Sequence, residues 1–388
     1  MAREDINFPN PVVAAQASDF PLVADPCQGH TMPAGKEFIG TDDYLSMDAV
    51  IAEARRSKKS IILNIGDSST SGWASDSVTR NRELRALGRP LLPTFFQYRT
   101  YTDFLRSRVG SDHLVVNAGV PAHTSVQGSR RIRLLLDRFH RESIEVHWVT
   151  IYFGNNDSVW DGNRQDKDWV GVDSESSAGS GCSIEQGTAV ITRSLPGDYK
   201  AALGDIIRTC RRFAAIPIMI EPITPLYWKP GTRVRGEDLG RTQKPGSSLV
   251  YRLLDEAREL WSIAIGTDGH CELKIAALGE VREKDYIVPR IKRAHLAVLR
   301  QVVQELEVPL VSVDLDRTQD DIRYFIDYCH PIGDANQMIA DAIADVIATG
   351  QMSADTAVRT VAGDQAKQWE PEGGSSLLEL PVDHYTLY

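Results

Sequence analysis

The sequence predicts an α/β protein built on a parallel sheet that is covered by helices on both faces. Two observations carry that reading. Five short runs are apolar on both faces: "IILNI" (61–65), "HLVVN" (113–117), "EVHWVTIYF" (145–153), "IPIMIE" (216–221) and "VPLVSVD" (308–314). Strands buried on two sides have this composition, whereas half-exposed strands alternate. Helical periodicity fills the stretches between them, and that alternation restricts the topology to a few doubly wound orders. The 388 residues, 42% hydrophobic and 25% charged, suffice for one large domain with insertions or two small ones.

The elements follow in order. Residues 1–57 read as an N-terminal extension packing on the domain. Up to about residue 45 it is rich in Pro, Asp and Gly, and "SMDAVIAEARRSKK" then forms a short helix capped by Ser46. A catalytic domain spans 58–350. Its helical patterns are "FFQYRTYTDFLRSRV" (95–109), "SVQGSRRIRLLLDRFH" (125–140), "DYKAALGDIIRTCRRFA" (198–214), 247–265, "KRAHLAVLRQVVQELE" (292–307) and "DANQMIADAIADVIA" (334–348). Two stretches exceed a minimal domain: a polar, Gly/Ser-rich insertion at 158–196 and a long loop at 222–247. Loops of that length serve as lids, binding loops or disordered segments. Residues 351–388 read as a C-terminal tail lying on the surface or on another subunit, which leaves a homo-oligomer open.

A net charge of −10 and a pI near 5.5 argue against nucleic acid as a partner. No apolar run reaches the length of a membrane span, so no membrane partner is expected, and the N-terminus carries no secretion signal. The five cysteines are scattered, without CxxC spacing, and read as reduced thiols in a cytoplasmic protein. The nine histidines show no HxxxH or HxH pairing, so neither a metal nor a cofactor is implied.

In doubly wound sheets the site lies beyond the carboxyl ends of the strands. Four polar clusters fall there: Gly66-Asp67-Ser68; "NAGVPAHT", with Asn117, Gly119, Ala122 and Thr124; "GNND", with Asn156 and Asp157; and "DYCHP", with Asp327 and His330. Each alone is an ordinary cap or turn. Together, in chain order, they suit nucleophilic catalysis. A serine in the first turn of a helix exposes its hydroxyl beside backbone N–H groups. An imidazole activates it and a carboxylate orients the ring. Ser69, Thr70 and Ser71 are expected to satisfy helix N–H groups or line the pocket, and Asp67 to anchor the loop.

Gly66-Asp67-Ser68, Gly154 to Asp157, and Asp327 to His330 with Pro331 following resemble the first, third and fifth blocks of the SGNH (GDSL-type) hydrolases. The resemblance covers roughly 58–350. It implies a flavodoxin-like three-layer α/β/α sandwich with a five-stranded parallel sheet. It also implies Ser68 as nucleophile, His330 as base and Asp327 as its orienter. The oxyanion hole would combine backbone N–H groups of Ser68 and the second block with the Asn156 amide. That second block departs from the pattern, because Ala122 stands where the family has glycine. If the position needs positive φ, alanine carries strain of about 1 kcal/mol or more.

The activity implied is ester hydrolysis on a small-molecule or carbohydrate ester, through an acyl-enzyme. Acyl transfer by the same site, or an inactive binding module of the same fold, are the alternatives. Trp73, His123 and Trp160 are candidates for substrate binding, although His123 reads more readily as an exposed loop residue. Trp169, Tyr227 and Trp228 also lie near the expected mouth, where such aromatics either contact substrate or are buried in a lid. "DLDRT" (314–318) resembles the nucleophile loop of haloacid-dehalogenase-type phosphatases, but too little chain follows for that domain, and a strand ending in solvated acids is preferred.

Overall fold

The computed structural model describes residues 23–25, 29–31, 36–38, 44–75, 95–97, 99–160, 190, 192–231, 247–266, 272–315, 321, 324–325, 327–350 and 359–362. The strands are β1 (Val23–Asp25), β2 (Gly29–Thr31), β3 (Lys36–Phe38), β4 (Tyr44–Ser46), β5 (Ser60–Gly66), β6 (Trp73–Ser75), β7 (Phe95–Gln97), β8 (His113–Asn117), β9 (Val146–Tyr152), β10 (Ile216–Ile220), β11 (Leu310–Asp314) and β12 (Arg359–Ala362). The helices are α1 (Met47–Ser57), α2 (Ser68–Ser71), α3 (Tyr101–Val109), α4 (Ser125–Arg141), α5 (Pro196–Arg212), α6 (Ser247–Gly266), α7 (Glu272–Lys284), α8 (Arg293–Glu305) and α9 (Gly333–Thr349).

The five apolar runs pair in parallel, in the order β11-β10-β9-β5-β8. In chain order that is 5-4-3-1-2, the flavodoxin-like arrangement, with its reversal between β5 and β9. The period of two along a strand divides each run between the faces. Ile61, Leu63 and Ile65 face a core built with α1, α4, α5 and α8. Ile62 faces the opposite core, shared with α3 and α9. The two cores with the sheet between them make the three layers.

The sheet is wider than the expected five strands. β12 extends it in parallel beyond β11, and the antiparallel pair β3-β4 extends it beyond β8. These additions have no long apolar run to announce them, because an edge strand is held mainly by backbone hydrogen bonds. Residues 95–97, read as helix from the sequence, pair antiparallel with 73–75 as β7 and β6. The helix begins only at Tyr101, where Thr100 and Asp103 form a reciprocal capping box. Helix α7 is absent from the sequence reading. The central parts of both long insertions (161–189 and 232–246), Trp169, residues 316–320, and the tail apart from β12 lie outside the described residues. No helix among the described residues is long and apolar enough to cross a membrane.

Candidate active site

The last residue of β5 is Gly66, where nothing larger fits. A Cβ there would come within 2.0 Å of Thr70 Oγ1 and 2.7 Å of the Tyr152 carbonyl oxygen. The chain turns at once into the single-turn helix α2. Asp67 is its N-cap, with Oδ1 accepting from Ser69 N–H at 2.9 Å. Gly72 closes it in the left-handed conformation, φ 78°, donating to the Ser68 carbonyl.

The hydroxyls of this turn have separate partners, and the Asp67 carboxylate fills the N-cap position. Ser69 Oγ donates to the Cys329 carbonyl at 3.5 Å, Thr70 Oγ1 lies 3.2 Å from Tyr101 Oη, and Ser71 Oγ donates to the Ser68 carbonyl at 3.3 Å. These three side chains are buried and Ser68 is half-buried.

Ser68 Oγ lies 2.6 Å from His330 Nε2, and His330 Nδ1 lies 2.6 Å from Asp327 Oδ2. The other oxygen of Asp327 accepts the backbone N–H groups of Cys329 and His330, both at 3.0 Å. Residues 327–330 thus wrap around one carboxylate, which fixes the plane of the ring. Burial disfavours the His330 imidazolium. The Asp327 carboxylate outweighs it through its charge and hydrogen bond, and with Asp67 it holds the ring above the ordinary histidine value. Burial pushes Asp67 up to about 6, against the opposing pull of the Ser69 N–H and of His330.

The remaining blocks brace this array. Asn117 Nδ2 donates to the Thr70 carbonyl at 2.7 Å, and Asn117 Oδ1 accepts from Gly119 N–H, tying the ends of β8 and α2 together. Asp157 accepts from Ser125 N–H and Oγ at the start of α4, so it caps that helix. Burial raises the Asp157 carboxyl, and those hydrogen bonds oppose it. Asn156 Nδ2 donates to Asp67 Oδ2 at 3.2 Å and to the His123 carbonyl at 3.1 Å, so both amide hydrogens are engaged. Ala122 has φ 62° and is exposed. The left-handed backbone that glycine tolerates is imposed on alanine here, at a cost of about 1–2 kcal/mol.

The other expected residues differ in burial. His123 is fully buried rather than exposed, because the turn at Ala122 sends the next residue inward, where Asn156 holds its carbonyl. Trp160 is half-buried, its ring packed edge-on against Tyr251 in an apolar cluster with Val250, Leu254 and Ile287. Trp73 lies in β6, and its side chain is outside the described residues. Tyr227 and Trp228 are buried. Two neighbours of the site escaped sequence reasoning. The Tyr328 ring lies 6.1 Å from that of His330 and 6.2 Å from that of Trp228. Its place inside "DYCHP" was the available signal. Arg193 donates to the Ala122 carbonyl at 2.8 Å, across a sequence separation that leaves no local trace.

No protein-family profile and no curated protein sequence matches the chain. Among solved structures it is similar to a GDSL-like lipase from Bacteroides thetaiotaomicron, 12% identical, with a TM-score of 0.36 over 78% of this chain and 96% of that one. It is also similar to the acetylxylan esterase Axe2 from Geobacillus stearothermophilus, 16% identical, with a TM-score of 0.32 over 77% and 96%. A third is LAE5, an alpha/beta hydrolase enzyme from the metagenome of Lake Arreo, 15% identical, with a TM-score of 0.32 over 76% and 97%. These likenesses are distant, and the chemistry is carried by the chain's own side chains.

Proposed function

We propose that the protein is a serine-dependent ester hydrolase that works through an acyl-enzyme. The observation that carries this is the continuous hydrogen-bonded line from Ser68 Oγ through His330 to Asp327, at 2.6 Å and 2.6 Å. Neutral His330 takes the proton of Ser68 as Oγ attacks the ester carbonyl carbon. The imidazolium so formed is stabilised by Asp327 and then gives its proton to the departing alcohol. Water, deprotonated by the same ring, attacks the acyl-serine and returns the enzyme.

The tetrahedral oxyanion is held by the backbone N–H groups of Ser68 and Ala122 and by Asn156. For its part, Asn156 shares or exchanges the 3.2 Å contact to Asp67. One such donor contributes about 3–4 kcal/mol to transition-state stabilisation. Asp67 adds negative charge near the ring, which favours the imidazolium. The substrate class is a small-molecule or carbohydrate ester.

A panel of p-nitrophenyl and sugar esters of increasing acyl length tests the reading. Wild type turns over at least one class, and Ser68→Ala, folded to the same melting temperature, does not. Equal turnover by both proteins would sink it.

A further inference from the structure

We propose that Arg193 is a positioning residue that clamps Ala122 in its left-handed conformation, and so holds the oxyanion-hole backbone where glycine would otherwise be required. The inference rests on the esterase reading above for its catalytic consequence, but its structural content stands on contacts alone.

The turn 121–124 is gripped at two successive carbonyls. Arg193 Nη1 donates to the Ala122 carbonyl at 2.8 Å, and Asn156 Nδ2 donates to the His123 carbonyl at 3.1 Å. The second arm of the guanidinium reaches Gln127 Oε1 at 3.3 Å, and that same oxygen accepts from Thr124 N–H at 3.0 Å. One planar group therefore fixes the strained residue relative to the first turn of α4.

Arg193 is itself anchored. Its own N–H donates to the Val159 carbonyl, Ser194 N–H donates to the Asp157 carbonyl, and Thr192 bridges Trp160. These contacts close the neck of the 158–196 insertion against the turn that carries Asn156. The insertion thus delivers a cation to the back of the hole.

The physical consequence is specific. An alanine at φ 62° relaxes toward negative φ when nothing opposes it. That relaxation rotates one of the two peptide groups flanking residue 122. Either the Ala122 N–H leaves the hole, or the Ala122 carbonyl leaves Arg193 and the His123 N–H leaves the Val120 carbonyl. A glycine at the same position feels no such pull. Arg193 should therefore matter with alanine at 122 and hardly matter with glycine, which a role in substrate contact or in plain folding would not produce.

The test is a double-mutant cycle of Arg193→Met and Ala122→Gly, read as kcat and KM on a short-chain p-nitrophenyl ester, with melting temperatures as a control on folding. Arg193→Met in the native background is expected to lower kcat about tenfold, with KM changed by about twofold or less. In the Ala122→Gly background the same substitution costs about twofold or less. Equal losses in both backgrounds, a change confined to KM, or no loss at all would overturn the clamp. A crystal structure of Arg193→Met gives a readout independent of activity. Movement of Ala122 to negative φ supports the clamp and an unchanged positive φ refutes it, even if no ester proves to be a substrate.

Discussion

At the scale of single residues, the site is a set of assignments made by hydrogen bonds. Ser68 is set apart from three neighbouring hydroxyls because it alone meets an imidazole, and Ser68→Ala should cost about 10⁶-fold in kcat while leaving the fold intact. The pH profile follows from His330. Its ring must be neutral to accept the serine proton, and Asp327 holds its pKa above the ordinary value, so the acid limb of kcat/KM lies above the ordinary histidine range. Asp327→Asn removes the charge that raises it. The acid limb should then move to lower pH while the plateau drops about 10⁴-fold, as loss of a ring-orienting carboxylate does elsewhere. An unmoved acid limb would mean that another group sets it. Ser68, Asp327 and His330 were legible because each sits in a short polar motif, Ser68 directly after β5 and the other two just before α9. Arg193 was not, because only the folded turn brings it to Ala122.

Elements behave as their local chemistry requires. The β5–α2 junction depends on Gly66, and Gly66→Ala should lower stability by about 1–3 kcal/mol through its clash with Thr70 and the Tyr152 carbonyl, read by urea denaturation. A loss of activity without loss of stability would show that the junction adapts at the expense of Ser68. The strands β5, β8, β9, β10 and β11 were readable because burial on both faces leaves an unbroken apolar run. The start of α3 was misread because the aromatic pair Phe95-Phe96 suits either period, while the cap that decides it, Thr100 with Asp103, lies five residues further on. Helix α7 escaped because its apolar residues do not form one stripe. Leu273 is 81% exposed, whereas Leu278 and Val281 are fully buried.

Across the whole molecule, the sheet and its two cores place four loops at one mouth, and the stretch from α6 to α8 closes over a second centre. There Asp285 and Arg290 form an ion pair with both side chains fully buried, Nη2 to Oδ2 at 3.0 Å, and the same oxygen accepts from Gly231 N–H at 3.0 Å. Burial lowers the Arg290 pKa and Asp285 opposes it. Asp285→Asn strands a buried guanidinium, so denaturant unfolding should show a loss of about 3–5 kcal/mol, with a smaller loss when Arg290→Met is added. Sequence reasoning found neither this pair nor the sheet's outer strands. Both depend on partners distant in the chain rather than on periodicity.

The proposed reaction turns on one hydroxyl, raised to a nucleophile by its neighbours, attacking an acyl carbon. Intact-mass spectrometry after incubation with a fluorophosphonate, followed by peptide mapping, tests this most directly. One adduct per chain is expected, located on Ser68, abolished by Ser68→Ala and strongly slowed by His330→Ala. A folded wild-type protein that stays unlabelled, or carries its adduct on another residue, would contradict it.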